Sequence, residues 1–413
     1  MLDVRLLDCD DCSYAQTIDD LRHLLGAPNN PTLFPGHFLK ATFPKMGGRV
    51  ALLHAAGELA GVGFLFPRTL QRGRREFTLR LHRTRAAFST PADDVAAAVQ
   101  TAIGAEVRSY EPTLPVAFSP LATAETGLAI GRPTAEDAET IRKLQERIWH
   151  PNSPDALYPA DLHSLEFRPG SSLIAKVDAI PVGFLFGFYK FGGTALPPPL
   201  AERYPSDFCL ESQLMGVLPE YRGRHVSVAL KRKQAELARA EGIQIVNWTF
   251  DPLQYANAHL NLARLGAIAF NFYPHYYDFV NELNVAPASR LMVTWLIDSV
   301  RVRSDLTGPG LTEVDLTSVS DVVQLNRGPD LVAMPHGARR IAIEIPESWT
   351  RLQRDASQHD LVMGWRRTTD EILGEWLGIE EGKYVLTGTG RDSARHYLIG
   401  ERIDEILLQG LGE

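Results

Sequence analysis

FCLESQLMGVLPEYRGRHVSVALK, residues 208–231, is the most informative segment of the chain. It opens as a short extended run, turns at residues 219–221 and passes through a basic segment into a strongly helical one that reaches about residue 241. A strand, a tight basic turn and a helix in this order form an anion site, because the first helical amides have no intrahelical partners and the helix dipole is positive there. The sequence therefore predicts a phosphate-binding turn near residues 222–227.

The residues that follow continue the alternation of strands and helices. Residues 242–252 are typical of a buried strand that ends at Asp251-Pro252. Residues 257–266 are typical of a helix that ends at Gly266, and residues 267–273 again look extended. This alternation of strands and helices predicts an α/β (α+β) fold.

Residues 208–278 resemble the acyl-CoA-binding core of the GNAT superfamily of N-acetyltransferases. The family fingerprint is Arg or Gln, two residues, Gly, one residue, then Gly or Ala, after a strand. Arg222, Gly223 and Arg224 fit it, whereas His225 stands where the first fingerprint Gly is usual and Ser227 where the second is. The cofactor contacts that the resemblance implies are Met215, Gly216, Val217, Arg222, Gly223, Arg224, His225, Val226, Ser227 and Asn257.

A longer block points to a bacterial subfamily of GNAT acyltransferases. Between residues 248 and 277 the chain carries WTFDPLQ, NAH, NLARLGA and YPHYY, and residues 290–295 read RLMVTW. Some members of this subfamily are thought to succinylate amino acids. The resemblance therefore implies acetyl-CoA or another acyl-CoA, succinyl-CoA included, as the acyl donor.

Acyl transfer from a thioester to an amine needs a base, an oxyanion donor and an acid. By the resemblance, the Val217 amide is the oxyanion donor and Glu211, in an apolar strand setting, is the general base; a solvated carboxylate at the strand end is the alternative. Many relatives use a Tyr as the acid where this chain has Leu262. Tyr276 is the acid that we expect instead, with Tyr273 and Tyr277 as alternatives and aromatic packing as the structural explanation.

Two further residues are candidates for substrate binding. Arg290 could bind a substrate carboxylate through two parallel hydrogen bonds, or it could pair with an internal acid. His259 could contact substrate, or it could be a structural histidine held by hydrogen bonds. The expected reaction is direct transfer to a small primary amine such as an amino acid, with Cys209 as a spectator. The alternatives are a non-catalytic CoA-binding or regulatory protein and a protein-modifying acetyltransferase.

The sequence repeats itself in front of this core. Thr17-Ile18 and Leu21 recur 123 residues later, Pro28-Asn29-Asn30-Pro31 is matched by residues 151–154, and VGFLF occurs at residues 62–66 and 182–186. By the resemblance the two copies are tandem GNAT-like mixed-sheet folds. The first copy has no Arg-Gly turn between its last hairpin strand and the helix near residues 91–103, so we interpret it as a degenerate structural half, with a substrate-shaping lid as the alternative. The expected domains are 1–125, 126–305 and 306–413, and the last could complete the first copy.

Composition limits the class of protein. The 413 residues carry a formal net charge of -8, which argues against general nucleic-acid binding. No apolar run reaches a membrane span, and the first residues lack a signal-peptide core. The three cysteines form no disulfide framework, and Cys9 and Cys12 lack the further ligands of a metal site. We expect a cytoplasmic protein without a metal, with a homodimer left open.

Overall fold

The structure is a computed structural model that describes residues 2–84, 88–112, 127–149, 156–204, 207–277, 287–307 and 313–413. It contains two compact units: unit 1 comprises Met1–Gly193 and Asp207–Glu241, and unit 2 comprises Thr194–Ser206 and Gly242–Glu413. Helices and mixed sheets alternate along the chain, so the predicted mixed α/β fold is confirmed. The predicted boundaries near residues 125 and 305 lie inside these units, and the three-domain division stays a prediction.

The strands of the described residues are β1 Leu2–Leu6, β2 Arg49–Ala55, β3 Glu58–Gln71, β4 Arg74–Arg83, β5 Glu106–Tyr110, β6 Leu128–Gly131, β7 Gly170–Val177, β8 Ile180–Phe191, β9 Phe208–Val217, β10 Ile245–Phe250, β11 Ile268–Tyr277, β12 Ala288–Leu296, β13 Val314–Asp315, β14 Val322–Gln324, β15 Asn326–Arg327, β16 Asp330–Leu331, β17 Arg340–Ile345, β18 Tyr384–Arg391 and β19 His396–Arg402. The α-helices are α1 Tyr14–Leu24, α2 Phe43–Lys45, α3 Ala92–Ile103, α4 Ala135–Trp149, α5 Pro198–Arg203, α6 Val226–Ala240, α7 Tyr255–Ala258, α8 Val300–Thr307, α9 Trp349–Arg354, α10 His359–Trp376 and α11 Glu405–Gly412.

Unit 1 contains the same succession of elements twice. In the first, β1, α1, β2, β3 and β4 precede α3 and β5; in the second, β6, α4, β7, β8 and β9 precede α6. Both sets of strands lie in sequence order, and the ladders are antiparallel apart from the parallel β4–β5 pair. The repeated VGFLF stretch lies on β3 in one set and on β8 in the other. These matches support the duplication hypothesis, which stays a proposal.

Equivalent apolar residues of the two sets fill one core in unit 1. It includes Ile18 and Leu21 of α1, Ile141 and Leu144 of α4, Phe64 and Phe66 of β3, and Phe184 and Phe186 of β8. Phe38 stacks on Phe188 with ring centroids 4.7 Å apart. Full burial of such a side chain stabilises the fold by about 1.5–3 kcal/mol. Because both sets share this core, neither buries its apolar face alone.

The two sets differ in the strand that carries a β-bulge. On β9, Leu214 pairs with Phe186 and Glu211 with Phe188, so two β9 residues oppose Gly187. In the first set, the equivalent shift between Pro67 and Thr69 places the extra residue on β3 instead of β4. A bulge bends its strand and redirects side chains. The bulge of the second set therefore bends β9, the strand that leads directly into the basic turn.

Unit 2 is built on a sheet with the strand order β10-β12-β11-β18-β19-β17-β14, and β13 pairs with β18 in parallel. Its C-terminal part contains the strand β17, the helices α9 and α10, and the hairpin formed by β18 and β19. Ala269 of β11 pairs with Leu386 of β18, so the C-terminal elements extend the β10–β12 sheet. The idea that they complete the first copy stays a prediction. No helix of the described chain is long and apolar enough to cross a membrane.

Candidate functional site

The turn between β9 and α6 has an unusual backbone. After the 3₁₀ turn Pro219–Tyr221, Gly223 has a φ of +76° and His225 a φ of +60°. Glycine adopts such angles without steric conflict, whereas for a side-chain-bearing residue the left-handed conformation costs about 1–2 kcal/mol. Glycine at position 225 would adopt this conformation without that cost. His225, which stands in place of the fingerprint glycine, therefore introduces backbone strain at the N-cap of α6.

The same turn presents two arginine side chains to solvent at the N-terminus of α6. Arg222, Gly223, Arg224 and His225 are exposed, so the His225 side chain does not fill the turn. The His225 side chain makes no capping hydrogen bond to α6. The first-turn amides therefore have neither an intrahelical partner nor this cap, and an anion can bind them. Arg224 lies over the Tyr221 ring with its guanidinium carbon 5.2 Å from the centroid.

Val217 ends β9 with its amide directed away from β8. The next residue, Leu218, donates its amide to the Val182 carbonyl at 2.9 Å, and adjacent residues of an antiparallel strand alternate in direction. The Val217 carbonyl accepts a hydrogen bond from Arg222 Nε at 3.3 Å, which ties the turn to the strand. This orientation is what an oxyanion donor at Val217 requires, and that role stays a proposal.

Met215 and Gly216 have packing roles on β9. A Cβ on Gly216 would lie 2.8 Å from Phe184 Cε1 on β8 and 2.8 Å from Ile148 Cδ1 on α4, so the Phe184 ring and the Ile148 side chain occupy the space that a side chain would need. Met215 packs against an apolar cluster that includes Val226 of α6. Their predicted contacts with a cofactor can therefore come only from the backbone or from the part of Met215 that is still accessible.

Glu211 lies in an ion cluster, and the expected apolar setting was wrong. Its side chain is buried, and Lys190 Nζ on β8 lies 3.7 Å from its carboxylate. Glu211 also acts electrostatically on Lys45 and Lys231. Sequence reasoning missed these partners because they come from three other elements of the fold. Burial raises the pKa of the neighbouring Cys209 thiol to about 12, so this thiol is neutral at pH 7, as suits a spectator.

Lys231 ties α6 to the β9 bulge from inside the protein. Its ammonium group donates to Ser212 Oγ at 2.8 Å, and Ser212 Oγ donates to Gln234 Oε1 at 2.9 Å. Only 2% of Lys231 is exposed, and this burial lowers its pKa well below the usual value. The spacing of Lys231 from Val228, Ala235 and Ala238 places it on the buried face of α6, a signal that the sequence analysis did not use.

The remaining candidates lie in unit 2. Asn257 is exposed on α7. His259 is half-buried, with Nδ1 3.2 Å from Thr389 Oγ1 and 3.9 Å from Glu313 Oε1. Burial lowers the pKa of His259, although Glu313 opposes this shift. These contacts match the structural alternative for His259.

Arg290 pairs with an internal acid, which was one of its two expected roles. Its Nη1 lies 3.7 Å from Asp251 Oδ2. The same oxygen accepts hydrogen bonds from Arg366 Nη2 at 2.6 Å and from Trp349 Nε1 at 3.1 Å. Recognition of a substrate carboxylate by Arg290 stays a prediction.

Tyr276 is half-buried, and its ring centroid lies 5.9 Å from that of Tyr273, which is exposed. The side chain of Tyr277 is outside the described residues. The predicted site residues thus form one group in unit 1, around β9 and its turn, and another in unit 2. Their convergence in one site stays a prediction.

No protein-family model and no curated protein matches the chain. Solved structures to which it is similar include Arabidopsis thaliana NAA60 in complex with a bisubstrate analogue, at 13% identity, a TM-score of 0.33 and coverage of 41% of this chain and 99% of that one. Another is the Drosophila melanogaster polyamine N-acetyltransferase, at 14% identity, a TM-score of 0.30 and coverage of 41% and 99%. A third is the Escherichia coli ribosomal-protein-S18-alanine N-acetyltransferase, at 10% identity, a TM-score of 0.29 and coverage of 40% and 92%.

The burial of Lys231 predicts a pH-dependent stability. Because its pKa is lowered on folding, the folded protein binds fewer protons than the unfolded chain over the interval between the two pKa values. Within that interval the free energy of unfolding should rise with pH, by up to about 1.4 kcal/mol per pH unit, and stability should fall as the solution is acidified. Urea unfolding from about pH 6 to about pH 9 should show a smaller slope for Lys231→Met.

Lys233→Met is the matched control, because Lys233 lies on the same helix and pairs with Glu236 at 2.7 Å on the surface. It should keep the wild-type slope. Equal slopes in the wild type and Lys231→Met would show that Lys231 is not desolvated as described.

Proposed function

We propose that the chain is an acyl-CoA-dependent N-acyltransferase and that the turn between β9 and α6 binds the cofactor phosphates. The observation that carries this proposal is the left-handed Gly223–His225 turn, which exposes two arginines beside uncapped helix amides at the end of a bulged strand. Pyrophosphate oxygens accept hydrogen bonds from such amides, and arginine adds bidentate, charge-assisted bonds. Ser227 is small enough to let the phosphates approach the helix.

The residues of unit 1 suit the transfer step. An amine nitrogen attacks the thioester carbonyl, a C–N bond forms, and the C–S bond breaks as the tetrahedral intermediate collapses. The Val217 amide would stabilise the oxyanion, and the Glu211 carboxylate would take the proton that the amine loses. The thiolate that leaves takes up a proton; Tyr276, which lies in unit 2, stays the donor predicted from the sequence. The proposed substrate is a small primary amine, with acetyl-CoA or succinyl-CoA as the acyl donor.

A non-catalytic CoA-binding protein is the second candidate. The observation in its favour is the Lys190–Glu211 contact of 3.7 Å, since a carboxylate held in an ion pair is a weaker base. Such a protein would use the same cofactor site as the acyltransferase, but it would not transfer the acyl group. Such a protein binds a thioester but releases no thiol when amines are supplied.

Calorimetric titration of acetyl-CoA and succinyl-CoA tests the cofactor site. The Arg222→Ala/Arg224→Ala variant should bind the tighter thioester at least about tenfold more weakly than the wild type, because it loses two charge-assisted contacts. Arg232→Ala, which changes an exposed arginine further along α6, is the control and should bind normally. If the wild type binds neither thioester, the proposed function is wrong.

Thiol release with amines tests the proposed base. Glu211→Gln keeps the shape of the side chain but cannot accept the proton, so kcat should fall about 100-fold or more while the thioester Kd changes less than about twofold. Glu236→Gln, on the surface of α6, should leave both quantities unchanged. Turnover that survives in Glu211→Gln would assign the base to another group, and no turnover in the wild type would favour the non-catalytic candidate.

A further inference from the structure

The corner that follows α2 in the first set of elements is fixed against the end of β8. Phe191 of β8 donates its backbone amide to the Met46 carbonyl at 2.8 Å. The next residue, Gly47, has a φ of +82°, and a Cβ there would lie 3.0 Å from Phe191 Cβ and 3.2 Å from the Phe191 carbonyl oxygen. Glycine is therefore required by both conformation and space. The hydrogen bond and the close packing at this corner form a defined contact between the two sets.

This contact brings Lys45 into the ion cluster around Glu211. Lys45 immediately precedes Met46, and Lys190 immediately precedes Phe191, so the backbone bond brings the two lysine-bearing segments next to each other. Burial lowers the pKa of Lys45, Glu211 opposes that shift and Lys190 adds to it. The Lys45 side chain nevertheless keeps an exposed part. It can therefore be reached by a ligand.

Among the residues that the structure describes, the cationic side chains of this cluster outnumber its carboxylates. Lys45 and Lys190 are two ammonium groups beside the single carboxylate of Glu211. Arg75 adds a further cation, with its guanidinium carbon 5.3 Å from the centroid of the Phe191 ring. Asp207, which acts on Cys209, is an acid at the exposed start of β9. A partly desolvated site with surplus positive charge favours an anionic ligand.

We propose that Lys45 and Lys190 receive an anionic group of one of the two reactants, so that the first set of elements takes part in substrate recognition. The group is a carboxylate or phosphate on the amine, or the terminal carboxylate of a dicarboxylic acyl donor. Lys45 is then a specificity-determining residue that selects a reactant by charge. This inference rests on the proposed function, because it places the reactants next to Glu211.

Paired probes that differ by one anionic group test this recognition. In the thioester arm, the dissociation constants of succinyl-CoA and acetyl-CoA are compared by calorimetry. In the amine arm, kcat/KM is compared for L-phenylalanine against 2-phenylethylamine and for O-phosphoethanolamine against ethanolamine. Wild type, Lys45→Met and Lys40→Met are measured in both arms. Lys40 is the control, because it lies five residues earlier and pairs with Asp19 at 2.9 Å on the surface.

The wild type should prefer the anionic member of at least one pair. Lys45→Met should raise the Kd or lower the kcat/KM of that anionic member at least about fivefold, and it should change the same constant of the neutral counterpart less than about twofold. Lys40→Met should change neither constant. No preference in any pair, or equal effects of Lys45→Met on both members, would overturn the inference. Failure of the wild type to bind either thioester is a separate result, which refutes the proposed function itself.

Discussion

The bulge in β9 is the constraint on which the candidate site depends. It is held from inside by Lys231, whose bond to Ser212 connects the strand to the helix that follows the basic turn. Glu211 lies on one side of this bulge, and Val217 and the turn lie on the other. Because the bulge bends β9, it sets the orientation of Glu211 relative to Val217 and the basic turn. A buried lysine costs free energy, and here its burial coincides with the segment that the proposed chemistry needs.

The two sets of elements in unit 1 share one succession of strands and helices but differ in the segments near the candidate site. Both contribute equivalent aromatic and aliphatic residues to one core, which makes each necessary for the stability of the other. Only the second has the bulge on its third long strand and the Arg-Gly turn after it. The first has instead a glycine corner that reaches the end of β8. As proposed above, the first set contributes Lys45 beside Glu211 instead of a phosphate site.

The sequence predicted the elements of the site better than their electrostatics. The strand, turn and helix of residues 208–240 were predictable because turn residues and helical periodicity are local signals. The ion pair of Glu211 with Lys190 was not, because it depends on the register between β8 and β9. The same holds for Arg290, whose partner Asp251 is also bound by Arg366, 115 residues away along the chain. Charge partners across a sheet need the register, which one sequence does not specify.

Hydrogen–deuterium exchange with and without coenzyme A tests whether the turn after β9 is the phosphate site of unit 1. Slower exchange is expected in residues 218–231 when coenzyme A is present, because phosphates bind the amides at the start of α6. Residues 88–103, which include the equivalent helix of the first set, should be unaffected. Protection of residues 88–103 with none at 218–231 would contradict the account.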